Sequence, residues 1–168
     1  QDIHTAFEKT GYEATIMMQT PLMTEKEREH FIAHFDKTGT GTRIAFAVMG
    51  GIFGEGIDLT GDRLTGVAVI GVGLPAISWQ NDLIRDYFHQ KTGRGYEYAY
   101  VYPGINRVLQ AAGRVIRTEK DVGVILLIDD RFNTALYRNL LPPDWQLAKA
   151  LNSNDIQKYL DSFQRITP

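Results

Sequence analysis

No cysteine occurs among the 168 residues. A disulfide framework, a zinc–thiolate cluster and an iron–sulfur ligand set are therefore excluded within this stretch. No apolar run approaches the about 20 residues needed to cross a bilayer, so a membrane partner is not expected. The opening residues Gln1, Asp2, Ile3 and His4 carry neither the basic nor the apolar region of a secretory leader, which points to the cytoplasm. They also include no initiator Met, which fits either processing of the start or a piece of a longer chain. The formal net charge is -2. Nucleic-acid binders usually show a basic excess, so any DNA contact must be local or shared with a partner domain. The phosphate-loop pattern G-x-x-x-x-G-K-[ST] is missing throughout. Lys37-Thr38 comes nearest, but its glycines, Gly39 and Gly41, follow it. The chain alone thus offers no phosphate cradle and no Mg²⁺ site, and no metal ligands are assigned to it.

The rest is ordinary for a folded domain: 43% hydrophobic and 23% charged residues. One domain of this length buries roughly 70% of its unfolded surface. Residues 1–168 are expected to form a single domain. Continuous apolar runs at 14–18, 43–49, 67–72 and 122–128 read as buried strands. Helical periodicity lies between and after them, at 3–9, 24–35, 81–91, 103–116, 134–140 and 153–165. Thr24 with Glu27 fits a capping box ahead of Phe31, Ile32 and Phe35. The apolar side of the helix at 81–91 is Leu83, Ile84, Tyr87 and Phe88. Trp79 and Trp145 read as packing residues. Unalternating strands separated by helices predict an α/β fold, doubly wound, with a mainly parallel sheet and helices on both faces. Ligands of such a sheet bind at the carboxyl ends of its strands.

Two segments carry polar groups in a pattern that chemistry can use. The first is Gln110 to Arg117. On a helix Gln110, Arg114 and Arg117 are spaced i, i+4, i+7 and share a face, and guanidiniums bind phosphate oxygens bidentately. Gly113 costs about 1 kcal/mol against Ala inside a helix, so its presence suggests close approach of a backbone or ligand. On spacing alone, an amphipathic helix with two surface arginines fits equally. The second segment runs from Gly50 to Leu59, directly after a strand. Its glycines allow tight turning and close approach, and Glu55 and Asp58 could accept hydrogen bonds from a ribose or pair with arginines. A plain strand-to-helix turn also fits. His30 and His34 stand at i, i+4, but no third metal ligand accompanies them.

Taken in order, GGIFGEGIDLTGDRL (50–64), the GLP at 73–75, and YAYVYPGINRVLQAAGRVIRTEKDVGVILLIDDRF (98–132) resemble the C-terminal motor domain of DinG-type, XPD-like superfamily 2 DNA helicases. The first matches that family's motif V and the last its motif VI. The resemblance runs from about Gln19 to Pro143. It implies a RecA-like domain that completes an ATP cleft with an N-terminal RecA-like domain of the same protein. That other half would supply the phosphate loop and the Mg²⁺ ligands, so this piece alone would bind neither ATP nor Mg²⁺ well. By the motif match Arg114 and Arg117 would be arginine fingers, with Gln110 beside the nucleotide and the motor interface. Asp58 would be the motif V acid, and Glu55, Gly56 and Gly113 would line the same cleft. Gln19, Thr20 and Gly51 would face single-stranded DNA. Family members open this domain with a strand before the first helix, and the chain begins inside that helix, so one strand is expected to be missing. A different reading is a non-catalytic, helicase-like module that binds nucleic acid or protein. The missing phosphate loop favours it; Gln110, Arg114 and Arg117 oppose it.

Overall fold

The computed structural model describes residues 5, 7, 9, 11–35, 41–51, 64–116 and 121–164. Four strands are present: β1 (Thr15–Met18), β2 (Arg43–Phe46), β3 (Gly66–Ile70) and β4 (Val124–Ile128). All pairing is parallel. β1 pairs with β2 in the register Thr15 to Arg43 through Met18 to Phe46. β3 pairs with β4 from Gly66 with Val124 to Ile70 with Ile128. The α/β class and the parallel arrangement are those the apolar runs predict. Among the described residues, however, the strands form two separate two-stranded ladders rather than one continuous sheet. Parallel neighbours need long crossovers, and the stretches 19–42 and 71–123 provide them.

The helix α1 (Glu25–Ala33) crosses from β1 to β2 and starts as its sequence dictates. The Thr24 side chain accepts from the Glu27 backbone N–H, and the Glu27 carboxylate accepts from the Thr24 N–H at 2.7 Å. The bond from the Thr24 backbone N–H, and then that from the Thr24 hydroxyl at 2.8 Å, pull the Glu27 carboxyl below its ordinary range. Phe31 and Met17 form a small core under α1, with Ile32, Phe35, Ala45 and Leu64 around them.

The second helix, α2 (Trp79–Thr92), is capped by Ser78 and stopped by Gly93 in the left-handed conformation. None of its residues is buried. Leu83, Ile84 and Tyr87, expected on an inward side, are 61%, 42% and 57% exposed, and Trp79 is 69% exposed. Only Phe88 meets a ring face to face, stacked on Tyr98 at 4.1 Å. Trp145, by contrast, packs on the main core as expected.

The next helix starts earlier than its periodicity suggested. A π-helical turn, Glu97–Val101, runs directly into α3 (Tyr102–Ala112). The Tyr102 N–H reaches back to Glu97. Pro103 explains the irregularity, because proline has no N–H to donate and its ring clashes with the carbonyl four residues back. Widening the preceding turn relieves both problems without breaking the helix. The π turn buries Ala99, Tyr100 and Val101. From α3, Ile105 and Val108 join Val69, Val72, Phe132, Tyr137 and Leu141 in the main core. Each such side chain contributes roughly 1.5–3 kcal/mol by leaving water. At one point α3 and the loop after β3 touch backbone to backbone. A Cβ on Gly73 would lie 2.8 Å from the Gly104 carbonyl oxygen, and a Cβ on Gly104 would lie 2.6 Å from that of Val72. Glycine at both places lets the start of α3 sit directly on the strand end.

Beyond β4 come a 3₁₀ turn (Asp130–Asn133), a short α4 (Ala135–Arg138) and α5 (Ser153–Gln164). The helix expected at 134–140 is thus shorter, and the pair Pro142-Pro143 separates it from α5 as expected. The helix expected at 3–9 lies largely outside the described residues, although Thr5 and Phe7 are helical. No helix among the described residues is long and apolar enough to cross a membrane.

Candidate functional site

The carboxyl ends of β1, β2 and β3 converge on one short turn. After β2 the chain makes a four-residue turn from Val48 to Gly51, closed by the Gly51 N–H donating to the Val48 carbonyl at 2.9 Å. Gly50 occupies its third position with φ 72°, where a type II turn demands positive φ and favours glycine. Gln19, just past β1, holds this turn from one side: its side-chain carbonyl accepts from the Val48 N–H at 2.9 Å. A Cβ on Gly51 would lie 2.8 Å from the Gln19 side-chain nitrogen. The structure therefore brings Gln19 and Gly51 together, with Thr20 exposed beside them.

From the other side comes Arg107 of α3. Its guanidinium donates to the Gly73 carbonyl at 3.2 Å. The same group lies against Gly50, where a Cβ would come within 3.0 Å of Nε. Arg107 lies outside the Gln110–Arg117 pattern. The signal was available, since Arg107 precedes Gln110 by three residues and Arg114 by seven, which places all three on one side of the helical winding.

The helix expected to run through residue 116 ends at Ala112. Gly113 is its C-cap, with φ -65°, not a mid-helix residue. The winding nevertheless continues for one tighter turn, because the Arg114 N–H bonds to Ala111 and the Val115 N–H to Ala112. Gln110 is exposed and Arg114 half-buried on this path, while Val108, Ala112 and Val115 are buried on the opposite side. Among the described residues, no segment other than α3 comes close to Gly113. Among those residues its added Cβ would meet only α3's own carbonyls, nearest that of Leu109 at 3.2 Å. Glu55, Gly56, Asp58 and Arg117 lie outside the described residues.

At the end of β4, Asp129 receives two bonds from the Arg131 guanidinium, at 2.9 and 2.7 Å, and one from the Arg131 backbone N–H at 2.9 Å. The Arg131 side chain is the main cause holding the Asp129 carboxyl below its ordinary range, with burial working against it. On the far side of α2, Tyr100 donates to Asp82 at 3.3 Å, and Arg85 pairs with Asp82 at 2.8 Å. Burial and the neighbouring Asp82 together raise the Tyr100 hydroxyl above its ordinary range. His34 and His30 meet as a local pair, His34 Nδ1 lying 2.8 Å from the His30 carbonyl oxygen. Among the described residues no group of three or more His, Asp or Glu side chains could hold a metal ion.

What this arrangement presents is a polar helix edge, Gln110 and Arg114, continuous with a residue that clasps the turns at the strand ends. Half-buried guanidinium donors at such a place suit phosphate oxygens. The helicase C-terminal domain family model matches residues 1–148. The chain belongs to that family. This helicase C-terminal domain is 31% identical to a probable ATP-dependent helicase of Methanocaldococcus jannaschii, over 66% of this chain and 18% of that protein. It is 36% identical to the ATP-dependent DNA helicase chl-1 of Caenorhabditis elegans, over 57% of this chain and 12% of that one. The helicase C-terminal domain thus spans less than a fifth of the length of the curated relatives it matches. Among solved structures, a chain named as apo XPD superposes with a TM-score of 0.60 at 17% identity, covering 88% of this chain and 35% of that one. At that identity the likeness establishes the fold, which is the RecA-like α/β fold expected from the sequence.

Proposed function

We propose that this helicase C-terminal domain is the second motor domain of an ATP-dependent DNA helicase, and that Arg114 and Arg117 act as its arginine fingers. The observation that carries the reading is the placement of Arg114. It follows the exposed Gln110 by one turn, just past the end of a helix whose other side is anchored in the core and whose start sits on the strand ends. Charge accumulates on the γ-phosphoryl oxygens as the terminal bond of ATP breaks, and a held guanidinium stabilises it. In this reading Gln110 senses the nucleotide, Asp58 and Glu55 contact the ribose or the fingers, and Gly56 and Gly113 line the cleft. The phosphate loop and the Mg²⁺ carboxylates belong to a separate N-terminal RecA-like domain, and the cleft closes between the two. Gln19, Thr20 and Gly51 form part of the track for single-stranded DNA. Two relatives support the reading: one is named a probable ATP-dependent helicase and the other an ATP-dependent DNA helicase.

The test is ATP turnover in the intact natural protein containing this chain, with Arg114→Ala and Arg117→Ala. Removal of an arginine finger lowers kcat by about 10³-fold or more. Turnover near that of the unaltered protein would reject the motor assignment and favour a non-catalytic binding module.

A further inference from the structure

Arg107 makes contacts that its neighbours on the helix edge do not need for packing. Its guanidinium bridges the turn after β2 and the loop after β3, donating to the Gly73 carbonyl at 3.2 Å while its Nε lies against Gly50. Three chain segments from different parts of the sequence meet on this one side chain. The Val48–Gly51 turn is also held from the opposite side by Gln19. It leads directly into the segment carrying Glu55 and Asp58, and Arg107 shares its helix side with Gln110 and Arg114. The flat guanidinium fits because Gly50 presents no side chain; a Cβ there would sit 3.0 Å from Nε and 3.3 Å from Cδ and Cζ. A planar, charged fork bonded to the Gly73 carbonyl and lying flat against Gly50 is a stiffer strut than a flexible ammonium.

We infer that Arg107 is a positioning residue that fixes the Gln110–Arg114 edge relative to the turn after β2. It sets the distance between Arg114 and the Val48–Gly51 turn, and touches neither nucleotide nor DNA itself. The inference rests on the motor reading above. Loss of the strut leaves the cleft's binding groups in place but misaligns Arg114 with the transferring phosphoryl group. Misplacement of about 1 Å far from the chemistry can cost up to about 10²-fold in rate. The signature is therefore a fall in kcat with little change in KM for ATP.

The experiment uses the intact natural protein containing this chain and compares Arg107→Ala, Arg107→Lys, Gly50→Ala and Arg114→Ala. DNA-stimulated ATP turnover is measured well below the melting temperature, with the folded fraction of each variant determined by circular dichroism. Arg107→Ala is expected to lower kcat about tenfold with KM for ATP unchanged within about twofold. Arg107→Lys, which keeps a donor for the Gly73 carbonyl, should recover part of that loss. Gly50→Ala, which crowds the guanidinium and also strains the turn at φ 72°, should lower kcat as well, and full kcat in it would show that Arg107 need not lie against Gly50. Full kcat in Arg107→Ala or in Gly50→Ala overturns the inference, as does a loss that tracks the folded fraction or a rise in KM matching the fall in kcat. If Arg114→Ala is impaired while Arg107→Ala is not, the strut alone is wrong. If Arg114→Ala itself turns over normally, the motor reading has failed.

Discussion

Asp129 shows how much a single side chain can decide where a strand ends. Its carboxylate accepts from two guanidinium N–H groups and the backbone N–H of Arg131, so the chain is tied down within three residues of leaving β4. Because the folded state favours the ionised form, the carboxyl is held below its ordinary value. The stability this contributes is present above the unfolded aspartate pKa and is lost as pH falls through the depressed folded value. Asp129→Asn is therefore expected to melt at a lower temperature than the unaltered chain at pH 7. The gap should close as pH drops through and below the ordinary aspartate range. A gap in melting temperature that persists unchanged to the most acidic pH at which the chain folds would show that the pair is not the cause. Contacts of this kind differ in legibility. The Thr24–Glu27 capping box is readable because both partners sit in one helical turn. Arg107 is not, since its acceptor lies 34 residues away, and only folding reveals that Gly50 leaves room for it.

Among the elements, helix periodicity identified which residues are apolar but not whether anything covers them. In α3 the stripe of Ile105, Val108 and Ala112 is buried against β3 and the C-terminal segments. In α2 the comparable stripe of Leu83 and Tyr87 faces outward, because this helix packs mainly on the π turn beside it. The π turn was equally hidden from the sequence. Pro103 signalled a helix start, which is its usual place, whereas here the winding begins before it and swells to accommodate it. The two stripes should answer mutation differently. Val108, fully buried, is expected to cost about 2–3 kcal/mol on truncation to Ala, as lost burial plus a residual cavity. Leu83→Ala should stay within about 0.5 kcal/mol of the unaltered chain, as at most surface positions. Chemical denaturation of both variants measures this, and equal losses would mean that the outward side of α2 is covered in solution.

At the scale of the whole molecule, the parallel strands and the crossovers between them could be read in advance from the apolar runs. That the described strands form two separate ladders could not, because which distant strands pair depends on packing across the fold. The same scale governs activity. The chain bears a net charge of -2 and no phosphate-loop sequence, and in the proposed reading the grip on the triphosphate comes from the other motor domain. The isolated chain is therefore expected to show no ATP hydrolysis above background and only weak single-stranded DNA binding, with few phosphate contacts. Weak contact of that kind gives a shallow fall of affinity with salt, since the slope counts the phosphates neutralised. Turnover by radiolabelled phosphate release and DNA affinity by fluorescence anisotropy across a salt series check both statements. Hydrolysis by the isolated chain that Arg114→Ala abolishes would mean that the cleft is complete within these residues, and the partner domain would then be unnecessary to the chemistry.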